Sequence, residues 1–138
     1  MTTDTPHGPR VCYDTTPLPL ALLAAAPRMD PTSTRRPEDV EERAVCSLEE
    51  WHGGSHYGLA LDLPGEDTGS VWAVWSGETP VLLLRPDCPA SSADGMDGCG
   101  LFAGHSGRHT WELYDREAAI AWARLAGSRL PLFGGGGR

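Results

Sequence analysis

Three apolar runs joined by two short, turn-rich connections limit what this chain can fold into: YGLALDL (57–63), SVWAVWS (70–76) and VLLLR (81–85). Their apolar residues recur with a period of two, the signature of strands rather than helices. The joins PGEDTG and GETP are too short for a crossover between parallel strands, which needs about a dozen residues or more. The runs therefore pair as an antiparallel meander. In the middle run Val71, Ala73 and Trp75 share one face, and Trp72 and Val74 the other. A strand that is apolar on both faces is a central strand covered on both sides.

The flanking segments supply candidates for that cover. PEDVEERAVCSLEEW (37–51) spaces Val40, Ala44, Leu48 and Trp51 by four, four and three, an apolar helical stripe. Pro37 suits a first helical turn, and Glu38 and Asp39 suit the positive end of a helix dipole. The segment reads as an acidic helix over about residues 37–51. DREAAIAWARLAG reads as a C-terminal helix over about 115–126, capped by Asp115, with Ala119, Ile120, Ala123 and Ala126 toward the core and Gly127 at its end. TWELY (110–114) reads as a fourth strand. The expected fold class is α+β: a three- to four-stranded antiparallel meander packed with the acidic and the C-terminal helix. The expected core includes Val40, Leu48, Trp51, Leu59, Leu61, Val71, Ala73, Trp75, Leu82, Leu84, Trp111, Leu113, Ile120 and Ala123.

Residues 1–36 read as a mobile arm and linker with a short helix, 37–133 as a single α+β domain, and 134–138 as a disordered tail. The run PLPLALLAAAP (17–27) resembles a leader in composition. Two prolines interrupt its start and Pro27 stands where cleavage would fall, so the expectation is a short helix rather than an export signal.

The chain has no Lys, Asn or Gln, and its net charge is −8. That charge argues against nucleic acid and anionic membrane as partners, since affinity for both comes largely from neutralising phosphates. Six carboxylates stand against Arg43 alone between residues 37 and 51. Glu38, Glu41, Glu42, Glu49 and Glu50 are therefore the candidate partner-binding residues, facing a basic protein, with charge complementarity speeding association.

The stretch most like chemistry is FAGHSGRHTW (102–111). With the loop before it, it reads Cys88, ten residues, Cys99, five residues, His105, three residues, His109. These four are ligand types that zinc takes in a tetrahedron. Ten residues between the two cysteines is wider than the tight knuckle of a compact site. A second His-x-x-x-His, His52 and His56, also precedes a strand, and could join Cys46 or the other histidines if the topology allowed. Otherwise Cys46 reads as a small buried residue beside the apolar stripe. GHSGR lacks the second glycine of a nucleophile elbow and is followed by no helix. His105, His109 and Arg108 remain as catalytic candidates, with Arg108 as an anion clamp.

The leading expectation is a small acidic, cytoplasmic, non-enzymatic protein that binds a basic protein partner and needs no cofactor. The alternative is a small enzyme or zinc-binding protein built on the Cys/His-rich loop at 88–109.

Overall fold

The computed structural model describes residues 8–65 and 68–129. The fold is α+β, and among the described residues it is built of two antiparallel sheets and two α-helices. The three-stranded sheet is the expected meander, with β3 (His56–Asp62), β4 (Ser70–Trp75) and β5 (Val81–Arg85) in that order. β4 is central, and all but one of its residues are buried. A two-stranded ribbon joins β1 (Thr15–Pro17) to β2 (Arg43–Val45). Helix α1 spans Leu20–Ala25 and helix α2 spans Arg116–Arg129.

The acidic helix does not form. Pro37–Asp39 make one 3-10 turn, closed by Asp39, whose carboxylate accepts the Arg36 N–H at 2.9 Å. The chain then extends through β2. Ala44, Cys46 and Leu48 are all buried, with more exposed residues between them. A spacing of four satisfies both a helix and every second turn of a strand's alternation. Val40, Ala44 and Leu48 could not separate the two readings, and Cys46 does. Trp51 leaves the core altogether at 92% exposure, and Leu84 is also exposed.

TWELY is not a strand. Thr110–Glu112 form a 3-10 turn, with the Glu112 carboxylate accepting the His109 N–H at 2.9 Å and the Thr110 hydroxyl accepting the Gly100 N–H at 2.9 Å. Side chains thus satisfy backbone groups that a sheet ladder would otherwise have taken. In α2, Asp115 caps as expected, accepting the Ala118 N–H at 2.9 Å. The helix runs through Gly127 rather than ending there, and Ala123 is exposed. Side-chain burial at Ala126, and the 134–138 tail, lie outside the described residues.

The segment expected as an arm and linker supplies β1 and two core residues, Leu18 and Ala26. Asp30 organises its loop. Its carboxylate accepts hydrogen bonds from the N–H and hydroxyl groups of Thr32 and Thr34 and from the Arg35 N–H. Desolvation pushes this carboxyl up, but the bonds from Thr32, Arg35 and Thr34 outweigh it and hold the group well below the usual carboxylate range.

The two faces of the sheet are covered differently. On one face β2 crosses β3 so closely that a Cβ on Gly58 would lie 2.7 Å from the backbone N and O of Val45. Gly58 pairs with Cys46 in an isolated antiparallel bridge. On the other face Phe102 packs on Tyr57 and Trp72, with ring centroids 4.6 and 5.2 Å away. Each face therefore receives one of the chain's two Cys/His-rich segments.

Candidate metal centres

The described residues contain two groups of four ligand-type side chains, Cys12, Cys46, His52 and His56 in one and Cys88, Cys99, His105 and His109 in the other. Within each group the ligand atoms all lie within 4.8 Å of one another. The four cysteines are free thiols. The second group is the set read from the 88–109 loop. In the first, Cys46 and its two histidines are completed by Cys12, which the sequence reading passed over. The four histidines do not converge on one site, because each pair closes on its own cysteines.

The two groups are copies of one structural module. Cys46 and Cys99 are each followed, at the same offsets, by a buried leucine, two histidines and a glycine: Leu48, His52, Gly54 and His56, then Leu101, His105, Gly107 and His109. Gly54 and Gly107 both take positive φ, +80° and +79°. In each copy the outlying cysteine lies on a segment running antiparallel to the knuckle. Cys12 N–H donates to Leu48 O at 2.7 Å, and Cys88 N–H to Leu101 O at 2.9 Å. Cys46 N–H reaches Asp14 O at 2.7 Å, and Cys99 N–H reaches Ala90 O at 3.1 Å. Glu50 N–H reaches Arg10 O at 2.8 Å, and Ala103 N–H reaches Pro86 O at 2.9 Å. Three backbone bonds thus recur at matching offsets from the two ligand cysteines.

The side chains match as closely. Cys46 Sγ lies 3.4 Å from His52 Nε2, and Cys99 Sγ lies 3.4 Å from His105 Nε2. Cys12 Sγ is 3.5 Å from His56 Nδ1, and Cys88 Sγ is 3.7 Å from His109 Nδ1. His105 Nε2 and His109 Nδ1 are 3.3 Å apart. The histidine rings of each pair are edge-on, with centroids 5.1 Å apart in both copies. Zinc binds sulfur at about 2.3 Å and nitrogen at about 2.0–2.1 Å, so a tetrahedron has edges of about 3.3–3.4 Å between nitrogens and about 3.5–3.6 Å between nitrogen and sulfur. Each of these cysteine–histidine distances, and the histidine–histidine distance in the second group, lies within about 0.1 Å of such an edge.

Outer contacts fix the tautomers such a site needs. His52 Nδ1 lies 3.1 Å from Gly53 O, and His105 Nδ1 lies 3.1 Å from Ser106 O. A proton on Nδ1 leaves Nε2 as the ligand atom. His56 Nε2 lies 3.4 Å from an Asp14 carboxylate oxygen that also accepts the Trp75 indole N–H at 2.8 Å. That contact leaves Nδ1 of His56 facing the group. His109 stacks on Trp111 at 4.7 Å. Burial pushes the Cys46 thiol up to about 12, and bound metal would replace its proton outright.

Arg108 is paired with an acidic side chain of the first group's segment. Its guanidinium donates to Glu49 at 2.7 Å and its backbone N–H donates to the same carboxylate at 3.0 Å. This pair ties the second knuckle to the first. Of the other acidic candidates, Glu41 and Glu42 precede β2, Glu38 lies in the 3-10 turn, and Glu50 lines a cavity beside Cys12. They share no helical face.

Comparison of the chain with protein-family models, with curated proteins and with solved structures finds no match. Among the described residues, no helix is long and apolar enough to cross a membrane.

Proposed function

We propose that this chain is a binding module fastened by two structural zinc ions, one in each Cys2His2 group. The observation that carries this reading is the repetition of the same ligand set, with closely matching cysteine–histidine distances, on the same backbone frame. Two chance clusters of thiols and imidazoles would not reproduce each other's ligand atoms and outer-shell carbonyl contacts. Four protein ligands fill a tetrahedral zinc ion and leave no position for a reacting water, which favours a structural role over a catalytic one. A structural reading makes the surface the working part. With a net charge of −8, that surface suits a basic protein partner in the cytoplasm, where free thiols persist.

The test is metal content. Untagged protein, purified without chelator, carries two zinc ions per chain by elemental analysis. Cys46→Ser and Cys99→Ser each lose one, and the double variant loses both. Metal-free protein that stays folded and takes up no added zinc overturns the reading.

A further inference from the structure

The two modules, A with Cys12, Cys46, His52 and His56 and B with Cys88, Cys99, His105 and His109, serve as controls for each other. Module B forms the same ligand frame with Pro89, Ala90, Ala103 and Gly104 around it. At the equivalent positions module A carries Tyr13, Asp14, Glu50 and Trp51. The frame therefore does not require Tyr13, Glu50 or Trp51, and Asp14 has a second role beside its contact with His56 only if its exposed face is used. All four line the same cavity of about 480 Å³, over Cys12, His52 and His56.

Trp51 is the clearest departure. It is 92% exposed, so it contributes almost nothing to the core. Its φ is +67°, a conformation that L side chains resist, whereas its counterpart Gly104 takes φ +83° freely. Module B shows that glycine serves the knuckle at this position. An indole held there against strain and against water presents its face to something else. The charged groups lining this cavity besides the Cys/His ligands are the carboxylates of Asp14 and Glu50. Asp14 is half exposed despite its contacts with His56 and Trp75. The Tyr13 hydroxyl donates to Asp115, which anchors this ring of the lining. An aromatic face beside carboxylates is the chemistry that binds an organic cation, through cation–π attraction and charge-assisted hydrogen bonds.

We propose that this cavity is the site where an arginine or lysine side chain of a partner protein docks, stacked on Trp51 and paired with Asp14 and Glu50. The proposal deepens the binding-module reading by naming the surface and the chemistry that it recognises.

The test uses full-length, zinc-loaded protein and a fluorescein-labelled octa-arginine peptide as the probe. Wild-type protein binds it, and the indole N–H resonance of Trp51, assigned by its loss in Trp51→Gly, shifts on titration. Trp51→Gly leaves net charge unchanged. It is expected to weaken binding at least tenfold, keep both zinc ions and leave the melting temperature no lower than wild type. Glu50→Gln weakens binding several-fold. Glu41→Gln with Glu42→Gln removes more charge elsewhere and has the smaller effect. The proposal is overturned if octa-arginine does not bind, if Trp51→Gly binds it like wild type, or if Glu41 and Glu42 matter more than Trp51. Zinc is measured on every sample. A metal-free protein that still binds through Trp51 refutes the zinc reading alone.

Discussion

Replacing Cys12 with alanine should cost more stability than replacing Cys88, although the two occupy equivalent places in their modules. The difference lies in the length of chain each ligand closes. Cys12 meets a knuckle that begins about 34 residues later, at Cys46, whereas Cys88 meets one about 11 residues later, at Cys99. Treated as cross-links, these loops remove roughly 4 and roughly 3 kcal/mol of unfolded-state entropy. Both cysteines are half-buried, so the packing lost on truncation is similar and largely cancels. The expected gap is about 1 kcal/mol, with each loss a large share of a typical domain's stability of about 5–15 kcal/mol. Urea denaturation of zinc-loaded Cys12→Ala and Cys88→Ala, followed by far-UV circular dichroism, measures it. Equal midpoints, or a Cys12→Ala protein that keeps both zinc ions at wild-type stability, refute the cross-link argument.

Two further outcomes follow from the same structure. Gly58→Ala forces a methyl to 2.7 Å from the Val45 backbone, and an overpacked site of this kind costs about 1–3 kcal/mol. Because Cys46 bridges Gly58, elemental analysis should show zinc lost from the first site before the second. Asp30→Asn removes a carboxylate whose folded-state pKa is depressed. A depressed group stabilises the fold above its unfolded pKa, about 3.9, and loses that contribution as pH falls toward its folded value. The melting temperature of the variant should therefore lie below wild type at pH 7, and the gap should narrow from about pH 4 downward.

The meander was legible because its signals are local. Period-two patterning and two short turn-rich joins leave one pairing, and the central strand between two covered faces followed from Trp72 and Trp75 pointing opposite ways. The acidic segment was not legible, because Val40, Ala44 and Leu48 fit both periods and helical charge preferences reinforced the wrong one. The second knuckle was partly legible, since all four of its ligands sit within one loop. The first was harder because Cys12 lies in a segment that composition marks as an arm, and nothing local says that it returns to Cys46. One signal was available. Cys46 and Cys99 are each followed after five residues by a histidine and after three more by another. Two copies of one ligand spacing are stronger evidence than either alone, and the match extends beyond the His-x-x-x-His echo.

The contact between the modules gives a last prediction, and it separates Glu49 from the other acidic residues. Glu49 accepts two bonds from Arg108, one from the guanidinium and one from the backbone N–H. Gly107 lies close enough that a Cβ there would sit 3.0 Å from the Glu49 Cβ. The guanidinium is about half exposed, so the ion pair alone contributes roughly 0.2–1 kcal/mol. The backbone bond is exposed as well, and a typical hydrogen bond contributes roughly 0.5–1.5 kcal/mol. Glu49→Gln keeps an acceptor for the N–H and loses only charge, whereas Glu49→Ala loses both. Glu49→Gln should therefore cost under about 1 kcal/mol, with the loss shrinking in salt, and Glu49→Ala should cost more, by an amount that salt does not erase. A zinc-binding dye should also draw the second zinc ion from Glu49→Ala faster than from wild type, because His109 directly follows the Arg108 held by that carboxylate. If Gln and Ala behave alike, the two modules are not coupled through this carboxylate.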